Sequence, residues 1–358
     1  MTLKQIKATY QVVTPLFLGD GEQRFTGLRA PSIKGALRFW WRALNWEPLR
    51  QQTGSDEKAL HLLHGAESWL FGNAAGIYPA SKKGSVIGQS RVLLTVRQPV
   101  DWETFIEDGW PTQPKSRQNI DGASYMGFGL FEMRRKNGKI TNTQRQALRE
   151  GVTFGMDLTF KPDLSTGRQD YWPEVLGDPV ENVRKALVWW GLIGGLGGRA
   201  RRGFGSVALR TLECDGQVQE YTYDSPETYE HAVAETLRYF SRTDLPPYTA
   251  LSGETKFALL TGTTDNPRQV LGEAGKKYKL YRDTLARRDR VPFGLPLAKV
   301  NTNDRRAGPL FFHVHPVGRG FDSAVLFVPA LFHLKYPSGN QITFYMNVQS
   351  FLKGKKKG

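Results

Sequence analysis

The stretch that most restricts how this chain can fold is GLIGGLGGRARRGFGSV, residues 191–207, where seven glycines and three arginines separate an apolar helical run from an apolar alternating run. Glycine reaches positive φ without steric penalty and admits close backbone neighbours, so glycines beside guanidinium groups read as a backbone cradle for an anion. The order of elements narrows the choice of anion. A dinucleotide-binding fingerprint requires strand, glycines, then helix, with the pyrophosphate at the helix N-terminus. Gly195 to Ala200 spells G-x-G-x-x-A, but the predicted helix over 181–193 precedes it and the predicted strand over 204–212 follows it, which excludes that reading. From Arg202 to Leu209 the chain shares five of the seven specified positions of the RNP1 pattern of RNA-recognition domains. Ser206 and Leu209 stand where aromatics would stack on bases, so what remains is a glycine-arginine loop entering a strand.

Charge supports a polyanionic partner. The 358 residues carry 49 Lys and Arg against 34 Asp and Glu, a formal charge of +15, and nucleic acids are the commonest intracellular polyanions. The length allows two domains with real cores, and the apolar content of 39% is that of a globular chain. No run of about eighteen apolar residues, signal peptide or lipidation motif occurs, so the expectation is a cytoplasmic protein with no membrane partner. The single cysteine, Cys214, excludes an internal disulfide and a cysteine-cluster zinc site, and reads as a strand-end packing residue.

Read in order, residues 5–14 alternate as a strand closed by the turn residues of PLFLGDG. A helix starts at Pro31-Ser32, with Ile33, Leu37, Trp40, Trp41 and Leu44 as its buried stripe. Lys34, Arg38 and Arg42 recur at i, i+4 and i+8 on another face. Like charges so spaced repel, so a ladder without interleaved acids suits an anion laid along it; a solvated charged face is the alternative. A second helix is expected over 56–71, with His61 and His64 as surface or packing residues. Strands are expected over 86–96, 125–134, 152–160 and 204–212, and a long loop over 109–124. After an acidic linker, 215–227, come a helix near 228–240, a strand from 257, a helix over 267–288, strands over 309–315 and 323–334, an amphipathic stretch over 342–352 and a solvated Lys355–Lys357 tail. His313, His315 and His333 fall on strands without a paired carboxylate motif and read as packed or exposed. The order strand, helix, strand, strand, helix, strand over the first half predicts an α+β fold: a ferredoxin-like, RRM-like βαββαβ domain over 1–222 with long loop insertions, and a reduced ferredoxin-like domain in tandem over 223–358.

The blocks TPLFLGDG with LRAPSIKGALRFWWRAL, and GGLGGRARRGFGSV, resemble the RAMP superfamily of CRISPR-associated proteins, in particular the first RAMP subunits of type III-B (Cmr) effector complexes. Leu70-Phe71-Gly72, Phe293-Gly294-Leu295-Pro296 and Arg305 to Leu310 extend the likeness along most of the chain. Gly308 replaces the serine usual before Pro309. The resemblance implies a non-catalytic subunit without cofactor or metal, binding the 3′ region of a crRNA and the paired target RNA beside other RAMP subunits. It implies RNA-binding roles for Lys34, Arg38, Trp40, Trp41, Arg42, Gly197, Gly198, Arg199, Arg201, Arg202 and Phe204. Cations would then neutralise backbone while base pairing supplies specificity. Two alternatives stand beside it: a RAMP-type endoribonuclease, for which Asp20, Asp121 and the histidines lack a supporting constellation, and a structural adaptor that touches no RNA.

Overall fold

The computed structural model describes residues 4–21, 24–25, 27–73, 88–99, 105–106, 110–111, 121–136, 139–161, 171–260 and 264–354. In chain order these form β1 (Gln5–Val12), α1 (Ala30–Thr53), α2 (Asp56–Phe71), β2 (Val92–Arg97), β3 (Phe105–Ile106), α3 (Gly122–Met126), β4 (Phe131–Lys136), β5 (Lys139–Gln144), β6 (Ala147–Leu148), β7 (Thr153–Phe160) and α4 (Pro179–Ile193). There follow β8 (Val207–Cys214), β9 (Gln217–Glu220), α5 (Pro226–Leu237), β10 (Lys256–Leu259), α6 (Pro267–Asp283), β11 (Leu295–Leu297), β12 (Asn301–Arg306), β13 (Leu310–Val317), β14 (Gly320–Phe327) and α7 (Met346–Leu352).

β1 lies inside an antiparallel sheet of order β2-β7-β1-β8-β9, paired on one side with β7 (Ile6↔Leu158) and on the other with β8 (Ile6↔Cys214). The period-2 pattern explains which face is covered: Ile6, Ala8, Tyr10 and Val12 are buried while Gln5 is exposed and Lys7, Thr9 and Gln11 are half-buried. Helices α1 and α4 supply the cover. Trp40 of α1 meets Trp189 of α4, and Tyr10 of β1 meets Trp190 with its hydroxyl donating to the Leu187 carbonyl. Between the helices, the buried Asn45 and Asn182 side-chain amides bond each other reciprocally at 3.0 and 2.9 Å, which satisfies polar groups that would be costly to bury alone. Capping sets the helix starts: Ser55 accepts from the Lys58 amide at α2, and Asp178 accepts from the amides of Val180 and Glu181 at α4.

The second half builds an antiparallel sheet of order β10-β14-β13. Its two faces enter different cores. Phe311, Ala324 and Leu326 join the core of β1, α1 and α4, whereas Phe312, Val314, Val325 and Phe327 join a core with Val270, Leu271 and Tyr278 of α6 and Phe351 of α7. That second core also takes Val13, Phe17, Phe204 and Ala208 from the first half, so the two halves share both cores across residue 222.

The architecture is α+β with antiparallel sheets. Several local expectations shift. Tyr125 and Met126 belong to α3, and the strand begins at Phe131. The acidic linker contains β9: Asp215 (φ 51°) and Gly216 (φ 80°) turn β8 back into a hairpin, as Asp-Gly between two strands favours. The expected strand from Val86 is described from Val92. Trp102, most of the 109–124 loop and the Lys355–Lys357 tail lie outside the described residues.

Candidate nucleic-acid interface

The glycine-arginine loop folds back on itself and docks between the halves. Gly205 (φ 59°) has no room for a Cβ, which would sit 2.1 Å from the Leu196 carbonyl oxygen, and at Gly197 (φ 85°) it would sit 2.4 Å from the Phe17 oxygen. These glycines are therefore required by close backbone packing. Four of the loop's amides are also committed: Leu196 donates to Gly205, Gly198 to Phe17, Arg202 to Arg199 and Gly205 to Pro15. Those four N–H groups are not free to cradle an anion. The Phe312 amide donates to the Arg201 carbonyl, and the buried Ser206 hydroxyl donates to Gly203 and accepts from the Val314 amide, tying the loop to the β13 edge.

The loop delivers cations to one place. Arg199, Arg201 and Arg202 line a pocket of about 420 Å³ with Arg306 from β12, Tyr278 from α6, and Phe293. No carboxylate lines it, and among the described residues no acidic side chain pairs with any of these four arginines. Arg201 is the most constrained. Its guanidinium lies over Phe311 at 4.5 Å and Phe39 at 5.3 Å from the ring centroids and reaches the Gly308 carbonyl at 3.4 Å. Burial, with Arg306 and Arg202 nearby, pushes its pKa down to about 10, so it stays charged at neutral pH without a counter-ion. Burial and then Arg202 and Arg145 lower Arg199, which holds an unusual positive φ of 61°. Burial raises the Tyr278 phenol, but the Arg202 and Arg282 guanidiniums outweigh it and hold the group below its ordinary value. A desolvated cation cluster without an acid is electrostatically incomplete, and an anion in the pocket completes it.

The helical ladder has a different fate. Arg38 Nε and Arg42 Nη1 both bond Glu67 Oε1 of α2, at 2.6 and 2.5 Å, and Glu67 is 3% exposed. The anion that the Lys34, Arg38, Arg42 spacing calls for is thus protein-borne for two of its members. Lys34 has no carboxylate partner among the described residues, and burial together with Arg38 lowers its pKa. Trp41 is fully buried against Phe71 and Trp172, Trp40 is 3% exposed, and Phe204 is fully buried against Phe17 and Trp110, so these aromatics serve the cores. α1 does meet the loop, through the face bearing Ser32, Ala36 and Phe39 and away from the ladder. Phe39, Arg306 and Tyr278 were not singled out from the sequence. Phe39 could have been found from its i+3 spacing after Ala36 at the edge of the apolar stripe, whereas Tyr278 is marked only as part of the apolar side of α6, with Leu271.

Asp20 bonds Arg24, and Asp121 caps α3 through the Ser124 amide and hydroxyl. His313 and His315 are buried, with ring nitrogens 3.1 Å apart and His315 stacked on Tyr229. Among the described residues no cluster of three His, Cys, Asp or Glu side chains could hold a metal, and no helix is long and apolar enough to cross a membrane.

A sequence model of the RAMP superfamily matches residues 9–208. The CRISPR system Cmr subunit Cmr1-1 of Pyrococcus furiosus is 27% identical over 340 residues, which cover 87% of this chain and 83% of that one. Subunit Cmr1-2 of the same organism is 24% identical over 213 residues, 56% of this chain and 93% of its own. Among solved structures, apo Cmr1 from Pyrococcus furiosus aligns with a TM-score of 0.53 at 21% identity, covering 98% of this chain and 96% of that one. A chain of the Type III-B Cmr-beta bound to cognate target RNA aligns with a TM-score of 0.55 at 13% identity and 98% coverage of both, a likeness of fold.

Proposed function

The chain belongs to the RAMP superfamily, and on that premise we propose that it is a non-catalytic, RNA-binding subunit of a cytoplasmic type III-B CRISPR effector complex. In this reading it holds the 3′ region of the crRNA, the paired target RNA, or both, beside other RAMP subunits of a Cmr complex in antiviral defence. The names of its relatives support the complex, and the arginine pocket supports the RNA. We read the halves, divided near residue 222, as two ferredoxin-like units. The order β2-β7-β1-β8 is what a βαββαβ chain gives, and β10-β14-β13 is the same order without its fourth strand.

The observation that carries the RNA reading is Arg201: a half-buried guanidinium lying over two aromatic rings, flanked by three arginines and, among the described residues, by no acid. Phosphate is the anion that fits, since guanidinium binds it through a planar fork and a polynucleotide supplies it repeatedly. Gly197 and Gly198 then act by letting the loop fold so that its arginines share one pocket. Arg38 and Arg42 serve mainly to hold α1 to α2, with Lys34 left to contact backbone from outside the pocket.

The test is RNA affinity as a function of salt for the full chain and for Arg199→Ala/Arg202→Ala. The expected result is weaker binding and a salt slope shallower by about 0.7 per lost single-strand contact. Unchanged RNA binding with lost assembly into the complex would instead support the adaptor reading. RNA cleavage by the purified chain, abolished by one Asp or His substitution, would support the nuclease.

A further inference from the structure

Against the arginine pocket lies a second, apolar one of about 370 Å³, walled by Phe39 and Trp40 of α1, Phe311 of β13, Leu18 and Leu196. The two are contiguous, because Gly197, Ala200 and Arg201 line both. Phe39 stands 5.8 Å from Phe311, with the Arg201 guanidinium over both rings. Among the described residues Arg201 is the one charged side chain at this second pocket, and the Ser32 hydroxyl on its rim, half-buried at the start of α1, has no hydrogen-bond partner.

We propose that this apolar pocket takes one unpaired nucleobase of the bound RNA, stacked against the half-buried Phe39 ring, while that nucleotide's phosphate occupies the arginine pocket beside it. The inference rests on the RNA reading above and extends it to a base-binding site. Three features select the ligand. The walls are aromatic rings and a guanidinium, the surfaces on which proteins stack splayed-out RNA bases. The interior carries no acid and one cation shared with its neighbour, so it suits a neutral flat group joined to an anion, and a nucleotide is such a group. The volume lies in the range of small-ligand sites, too small for a helix or a duplex. Stacking reads no Watson–Crick edge, so the site tolerates every base and prefers those that stack best. Ser32 offers one hydrogen bond by which it could favour some over others. A base held here is withdrawn from pairing, which fits a single-stranded end or a nucleotide turned out of a guide-target duplex.

The experiment uses the full chain, a short oligouridylate with one central 2-aminopurine, and an abasic ribose-phosphate oligomer of the same length and charge. On binding to the wild-type chain the 2-aminopurine fluorescence is expected to fall as the base stacks. The abasic oligomer should bind about 5- to 150-fold more weakly than the base-bearing one. Phe39→Leu, which keeps the apolar volume and removes the ring, should lose affinity for the base-bearing RNA and narrow the gap between it and the abasic oligomer. If the abasic oligomer binds the wild-type chain as tightly as the base-bearing RNA, with no fluorescence change, the base pocket is refuted; this arm needs no variant to fold. Arg199→Ala/Arg202→Ala separates the two readings. Weaker binding there alone leaves the phosphate site standing without its base pocket, and no change in either arm removes both.

Discussion

At the scale of residues, the role of each arginine is decided by what faces it. Arg38 and Arg42 converge on one buried carboxylate oxygen of Glu67, whereas Arg201 lies over two aromatic rings beside other arginines and, among the described residues, meets no carboxylate. Replacing Glu67 by Gln removes the shared counter-ion and leaves two partly buried guanidiniums competing for a neutral amide. Because both arginines are about a third exposed and can be hydrated in part, the expected loss is toward the lower end for a broken buried pair, about 2–3 kcal/mol in urea unfolding. RNA affinity and salt slope should stay unchanged, and a steeper slope would mean that the ladder is a phosphate track after all. The ladder was legible as a pattern, but its partner lies on another helix, 25 residues beyond Arg42.

At the scale of elements, the glycine-arginine loop and the β8–β9 hairpin show two uses of left-handed glycine. Gly216 (φ 80°) has nothing within 4 Å of where a Cβ would lie, so Gly216→Ala should cost only the conformational penalty, about 1–2 kcal/mol. At Gly205 the same penalty is joined by collision with the Leu196 backbone, and the loop must open to relieve it. Gly205→Ala is therefore expected to lose about 3 kcal/mol or more in thermal unfolding and to weaken RNA binding through displaced arginines, whereas Gly216→Ala should leave RNA binding intact. Equal effects of the two would disprove the packing role of the loop glycines. The hairpin signal Asp215-Gly216 was present in the sequence and was masked by the acidity of its surroundings. α2 begins where the sequence placed it, at Asp56, whereas α4 begins at Pro179, two residues before the expected start, with Asp178 as its cap.

At the scale of the whole molecule, strands β13 and β14 are buried on both faces, and β13 carries His313 and His315 into the seam with α4 and β8. Around the pair stand Tyr223 and Tyr229, Asp322 opposite His315 in the strand register, and Arg210 of β8. Burial pushes His313 down to about 3, and burial, His313 and Arg210 hold His315 well below its usual value. The sign follows from the unfolded chain, where both protonate near 6.5. Above that pH the pair costs nothing, and below it the unfolded state gains protons that the folded state refuses, so stability falls by about 1.4 kcal/mol per pH unit for each histidine. The midpoint of thermal unfolding should be flat above pH 6.5 and drop between 6.5 and 5, with His315→Phe, which preserves the stack on Tyr229, reducing the slope. A flat profile down to pH 5 would show the seam to be hydrated. The sequence by itself determined most of the order of helices and strands, the basic character and the arginine loop, because periodicity and charge act over a few neighbouring residues. Which cations are left without an acid, which aromatics are walls and which are core, and how one sheet serves two cores were decided only by tertiary structure, because each depends on groups on different elements meeting in a medium that punishes an unpaired charge.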